Sequence, residues 1–170
     1  MLIFAYGSNM NINRLQERVP SASKLSTAFL KGYQLICNKI SSKDGSAKAN
    51  IIETGTDDDI VWGVLFVIDD LQKTDLDKLE GLGKGYDEKV LTFVDTTGHS
   101  HNAHVYIATD DKYLNNQLLP YDWYREFILT GAIKEQLPLD YINQLETIKS
   151  TVDPNVTRRQ LNFDIINRNQ

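Results

Sequence analysis

Apolar and polar positions alternate along this chain in several distinct periods, and each change of period predicts an element. Residues 2–6 are a short apolar run halted by Gly7-Ser8-Asn9, which predicts a buried strand running into a tight turn. Residues 11–18 follow as a short helix ended by Pro20. Strand character returns at 29–37 and 49–53, separated by the polar, mobile loop 41–46. The longest apolar stretch, 60–68, is too rich in β-branched and aromatic residues for a helix and reads as a central strand. Gly63 within it predicts a bulge or a close backbone approach.

Thr74 then caps a helix whose first turn carries Asp75 and Asp77 and whose apolar face holds Leu76 and Leu79. That helix ends in the glycine-rich segment 81–85. Residues 89–95 and 101–109 form a predicted hairpin around Thr96-Thr97-Gly98-His99-Ser100. Pro120 opens a helical pattern through Trp123, Tyr124, Phe127 and Ile128 that stops near Gly131. Pro138 opens another, with Ile142, Leu145 and Ile148 on one face. Beyond residue 150 the sequence is polar and poorly periodic apart from Leu161, Phe163, Ile165 and Ile166. The whole predicts a single α+β domain, strand-rich in the middle and helical toward the C-terminus.

Composition narrows the function. The 170 residues are 41% hydrophobic and 24% charged, ordinary for one globular domain with a core. The net charge is −5 and there is no dense Lys/Arg cluster, Arg158-Arg159 being too small for a groove. Nucleic-acid and anionic-membrane partners are therefore not expected. No apolar run approaches the roughly 20 residues needed to span a bilayer, and the N-terminal residues lack the basic flank of a signal peptide. These features predict a cytoplasmic protein. Cys37 is the single cysteine and reads as a small buried residue of a strand. His99, His101 and His104 fall in and beside the predicted hairpin loop. His101 and His104 are three apart, so a strand would turn them to opposite faces and away from a shared metal.

Two segments carry chemistry. A strand ending in Tyr6-Gly7-Ser8-Asn9 and leading into a helix presents unpaired backbone N–H groups in one concavity, a nest for a carboxylate, to which Ser8 and Asn9 add side-chain donors. It has neither the glycine spacing of a dinucleotide site nor the Gly-Lys-Ser/Thr of a phosphate loop. Glu80 closes its helix next to the negative end of the helix dipole, where the charged carboxylate is disfavoured. In a dry pocket such a group suits general acid–base work near neutrality; on an open helix end it would simply be solvated.

Taken together and in order, Phe4-Ala5-Tyr6-Gly7-Ser8-Asn9-Met10, Val61-Trp62-Gly63-Val64 and Leu76-Asp77-Lys78-Leu79-Glu80-Gly81 closely resemble the γ-glutamylcyclotransferase family. The likeness continues through Tyr86, Tyr106, Tyr124 and the Gly131-Ala132 to Leu137-Pro138-Leu139-Asp140-Tyr141 stretch. It implies a γ-glutamylcyclotransferase-like α+β fold built around a small mixed β-barrel with flanking helices, the pocket lying at the barrel mouth. Residues 1–150 would be the catalytic domain, and 151–170 an unassigned tail.

The resemblance further implies that Ile3, Phe4, Ala5, Tyr6, Gly7, Ser8 and Asn9 shape the substrate clamp. Backbone N–H groups of Tyr6, Gly7 and Ser8 would hold the α-carboxylate of a γ-glutamyl amide. Glu80 would be the acid/base, and Tyr124, Tyr86 and Tyr106 would contact the substrate. The spacing from Gly81 to Tyr86 is one residue shorter than in the animal enzymes. The reaction so implied yields 5-oxoproline and a free amine; it calls for no metal or cofactor, and the family suggests a homodimer. Three other readings remain: a cyclotransferase for another γ-glutamyl amine, a binding module without turnover, and a hydrolase pairing Glu80 with Asp87 or Glu88. Tyr113, Tyr121 and Trp123 are candidates for an interface or for closing the pocket.

Overall fold

The computed structural model describes residues 1–168. Five strands form a closed barrel in the order β1 (Leu2–Ala5), β5 (Ile60–Val67), β2 (Ser23–Lys31), β6 (Asp87–Asp95) and β7 (Ser100–Ile107). Every neighbouring pair is antiparallel except the closure, where β1 runs parallel to β7 with Ile3 opposite His104. The predicted mixed barrel with flanking helices is therefore the fold. β3 (Tyr33–Ile40) and β4 (Ala47–Glu53) make a separate antiparallel hairpin. The helices are α1 (Ile12–Arg18), α2 (Lys73–Glu80), α3 (Asp122–Lys134), α4 (Leu139–Glu146) and α5 (Val156–Ile166).

The predicted central strand sits between β1 and β2, and its consecutive residues Val64, Leu65 and Phe66 are all buried, so both of its faces are covered. Gly63 is a close approach: a Cβ there would lie 2.3 Å from the Ala5 carbonyl oxygen and 2.6 Å from the Phe4 ring. Phe4 is stacked on Phe93 with ring centroids 4.0 Å apart, which fixes the end of β1 where the clamp begins. Gly131 does the same for α3, since a Cβ there would meet the Met10 and Asn11 backbone at 2.7–2.8 Å. The helix can therefore lie directly on the turn that follows β1.

Several expectations need correction. The 29–37 run is not one strand: Gly32, at φ +77°, breaks it and sends β3 out of the barrel into the hairpin. Thr74 does not cap α2. The chain enters that helix through a 3-10 turn, Asp70–Gln72, capped by the Asp69 side chain, so the helix begins at Lys73. The 41–46 loop is tied down by Ser41 N–H to the Ser46 carbonyl at 2.9 Å and by Asp44 to the Ser46 backbone N–H and hydroxyl.

α3 continues past Gly131 to Lys134, while α4 stops before Ile148. The residues left as a tail carry α5, which packs on α3 and α1 with Ile166 buried and Phe163 and Ile165 partly buried against the core. Arg159 bonds Asp122 at 2.7 Å, and Asn162 accepts from Arg14 at 3.1 Å. No helix among the described residues is long and apolar enough to cross a membrane.

Candidate active site

The clamp forms because β1 cannot continue. After Ala5, which pairs with Val64, the chain turns into the 3-10 segment Ser8–Met10, closed by Met10 N–H to the Gly7 carbonyl at 3.0 Å. The backbone N–H groups of Gly7, Ser8 and Asn9 make no hydrogen bond to any described residue, and these three residues line a small cavity of about 50 Å³. The remaining walls are Phe4, Ala5, Tyr6, Ala49, Glu80, Tyr86, Tyr106 and Tyr124. The structure thus gathers the residues that the resemblance assigns to the clamp, the acid/base and the substrate contacts, except Ile3. Ile3 is buried in β1 opposite Phe66 and His104, one position short of the cavity wall.

Glu80 is not a solvated helix end. Its side chain is 14% exposed, and its Oε1 accepts from Arg18 Nη1 at 2.9 Å and from Asn9 Nδ2 at 3.0 Å. Arg18 also donates to Asn9 Oδ1 at 3.0 Å, closing a triangle that fixes the carboxylate. The Asn9 amide is thus spent on orienting Glu80 instead of on an incoming anion. Ser8 Oγ likewise accepts from Arg14 Nε at 3.1 Å. Backbone N–H groups are what the turn keeps for a ligand.

The four tyrosines differ in where their protons go. Tyr6 donates to the Tyr106 carbonyl at 2.5 Å, Tyr86 to the Ala49 carbonyl at 2.5 Å, and Tyr106 to Asp77 Oδ1 at 2.6 Å. Tyr124 instead accepts from Ala49 N–H at 3.0 Å, and its own proton has no acceptor among the described residues. Burial pushes the Tyr124 hydroxyl up to about 12, with the nearby Cys37 adding to it. Burial also raises Tyr6 and Tyr86, and burial together with the Asp77 bond raises Tyr106. All four are therefore protonated near neutrality, and Tyr124 is the one with a hydrogen to offer.

Glu80 is the one carboxylate lining this cavity among the described residues. Asp87 is bonded to Thr109, and Glu88 lies 2.6 Å from Lys73 and 3.0 Å from His104. Neither reaches the cavity, so nothing here matches a pair of carboxylates flanking a water. His101 bonds Asp95 at 2.7 Å, away from His104, in keeping with opposite strand faces. Trp123 is buried and donates to Asp153 at 2.7 Å, on the wall of the space next to the cavity.

The sequence reading missed Arg18, Arg14, Lys39, Lys48 and Ala49. Arg14 and Arg18, four apart in the helix that follows the clamp, were the one local signal available.

A barrel-mouth pocket that combines an open backbone nest with one fixed carboxylate defines a class of small-molecule site. Residues 60–145 match the AIG2-like family. The chain is 31% identical over 153 residues to a γ-glutamylcyclotransferase of Bos taurus, covering 87% of this chain and 78% of that protein. It is 29% identical over 151 residues to the γ-glutamylcyclotransferase of Homo sapiens, with the same coverage. A solved structure titled gamma-glutamyl cyclotransferase superposes with a TM-score of 0.84 at 26% identity, covering 98% of this chain and 97% of that one. The chain therefore belongs to the AIG2-like, γ-glutamylcyclotransferase family.

Proposed function

We propose that this protein converts a γ-glutamyl amino acid or amine to 5-oxoproline and the free amine. The observation that carries the proposal is the fixing of Glu80 by Arg18 and Asn9 beside a nest of unpaired N–H groups at Gly7, Ser8 and Asn9. The substrate contains its own nucleophile, so the enzyme's work is to fold it and to move protons. With the α-carboxylate against the nest, the protonated α-amine comes beside Glu80 and gives up a proton to it. The freed amine attacks the γ-carbonyl, closing a five-membered lactam.

Negative charge then develops on the γ-oxygen, and Tyr124, whose proton is uncommitted, is the donor suited to it. As the γ-C–N bond breaks, Glu80 passes its proton to the departing nitrogen. It then takes the second proton from the ring nitrogen and hands it on, so the amine leaves as an ammonium and the lactam nitrogen keeps one hydrogen. One C–N bond forms, one breaks, and the carboxylate is restored. The reaction so drawn draws on no metal or organic cofactor.

The test is 5-oxoproline release from a panel of γ-glutamyl amino acids by wild type and by Glu80→Gln. Turnover that falls by about 10²–10⁴-fold in the variant, with binding retained, is expected for loss of an acid/base. Free glutamate as the product would mean hydrolysis, and binding with no product would mean a non-catalytic module. An active Glu80→Gln enzyme would remove Glu80 from the role.

A further inference from the structure

A second, larger chamber of about 220 Å³ adjoins the clamp cavity, and the two share Ser8, Glu80, Tyr86 and Tyr124. Glu80 stands on the common wall. With the glutamyl half in the cavity, the amine that Glu80 protonates therefore faces this chamber.

Its charge is one-sided. Seven cationic side chains line it against two carboxylates, Asp44 and Glu80, although the chain as a whole carries a net charge of −5. Four of the seven are neutralised. Arg18 meets Glu80 at 2.9 Å, Lys48 meets Asp44 at 2.9 Å, and Lys78 meets Asp75 at 3.2 Å. Arg158 forks onto Asp153 with two bonds of 2.6 Å.

Arg14, Lys39 and Lys43 have no carboxylate partner among the described residues. Arg14 bonds two neutral oxygens, Ser8 Oγ and Asn162 Oδ1, each at 3.1 Å, and lies 4.4 Å from the Phe127 ring centroid. Lys39 is 6% exposed and sits 4.8 Å from the Tyr86 ring centroid. Burial pulls Arg14 down to about 9 and Lys39 below the usual lysine range. Desolvated cations without a counter-charge are unfavourable in the empty protein and become favourable when an anion arrives. Arg14 and Lys39 are two such cations, and with the exposed Lys43 beside them they exceed what a single carboxylate satisfies.

We infer that the chamber receives a leaving amine bearing two or more negative charges, such as an acidic amino acid or a short acidic peptide, and that Arg14, Lys39 and Lys43 set this preference. The inference rests on the cyclotransferase reading above.

The test compares γ-glutamyl-glutamate, γ-glutamyl-alanine and γ-glutamyl-lysine, in wild type and in a Lys39→Gln/Lys43→Gln variant. 5-Oxoproline release gives kcat/KM. Calorimetric binding in the Glu80→Gln background gives Kd without consumption of the substrate. Glutamate is expected to exceed alanine, and alanine lysine, by about tenfold at each step at low salt, shrinking to about twofold in the double variant. Lys43→Gln alone, at an exposed position, is expected to give a smaller loss of the same sign and keeps the test open if the double variant does not fold. Equal treatment of alanine and glutamate, or a ratio unchanged by the lysine substitutions, overturns the inference. If no compound yields 5-oxoproline, the cyclotransferase reading falls and the binding order alone decides: the same order supports the charge preference, and equal binding overturns it.

Discussion

Arg18 Nη1 lies 2.9 Å from Glu80 Oε1, across 62 residues of sequence, and thereby ties the helix after the clamp to the end of α2. The carboxylate is held on one oxygen and the other is left for chemistry. Arg18→Gln is expected to lower kcat by about 10–100-fold with a smaller change in KM, because a displacement of about 1 Å at a reacting group is enough for such a loss. Arg18→Lys, which keeps the charge but not the planar geometry, should fall between. Steady-state kinetics on the best substrate of the panel decide it. A change confined to KM would make Arg18 a binding residue instead.

Tyr86 and Tyr124 grip the backbone of the same residue from its two sides, Ala49, but with opposite polarity. Each substitution by Phe removes one hydrogen bond and leaves a buried backbone group unpaired, at a cost of about 1–3 kcal/mol. Only Tyr124→Phe also removes a proton free to meet the γ-oxygen, so its kcat should drop by a further factor of about 10²–10³. Urea melts paired with kinetics separate the two effects. Similar losses of kcat in both variants would deny Tyr124 the special role.

Gly63→Ala tests how the clamp is positioned. The added Cβ would lie 2.3 Å from the Ala5 carbonyl oxygen, so β1 must move or part from β5. A loss of about 3 kcal/mol or more is expected, at the upper end of overpacking costs. KM should rise in whatever fraction stays folded, since Ala5 leads directly into the nest. A variant as stable as wild type would show that the barrel seam gives way more readily than its packing suggests.

Lys48 offers a pH signature. It faces Asp44, Arg14, Lys39 and the rings of Trp123 and Tyr124, and burial lowers it to about 8 despite its ion pair with Asp44. A lowered value means that the charge is present below about pH 8 and is lost as pH rises through it. The kcat/KM ratio of γ-glutamyl-glutamate to γ-glutamyl-alanine should therefore be flat on the acid side and decline above about pH 8, since kcat/KM reports the free enzyme. Titration of the substrate's own α-amine is common to both and cancels. Lys48→Met should remove the fall that begins near pH 8 and leave the later one, as Arg14 titrates at about 9; a fall still centred near 8 would assign the effect elsewhere.

The turn at the clamp is signalled locally, whereas Glu80 was set apart from an ordinary helix end by the family resemblance. Tyr6 to Asn9 is a contiguous break in an apolar run, and Glu80 stands at a helix end marked by glycine. Four of the barrel strands, β1, β5, β6 and β7, were legible from apolar and β-branched runs bounded by turn residues, but β2 was not, since only its last three residues fell in the predicted 29–37 run. The chamber was not. Lys39 and Lys48 come from the β3–β4 hairpin, which lies outside the barrel, and the bonds of Tyr86 and Tyr124 to Ala49 tie it to the pocket. No local pattern encodes that placement. α5 escaped notice for a different reason. Its apolar residues Leu161, Phe163, Ile165 and Ile166 crowd one end, only Ile166 is fully buried, and Arg158, Arg159 and Asn162 fasten the rest, so no helical apolar period stands out.

The closure of the barrel between β1 and β7 also has a consequence in time. Tyr6 bonds a carbonyl 100 positions further along the chain, and the seam that carries the clamp waits for β5 and then for β7. Contacts of such long sequence separation form late and cooperatively. During synthesis the glycine turn leaves the ribosome well before its partners, and it has no means of becoming a nest alone. Recovery of turnover after dilution from denaturant should thus follow the slowest refolding phase, making the enzyme its own reporter of completed folding.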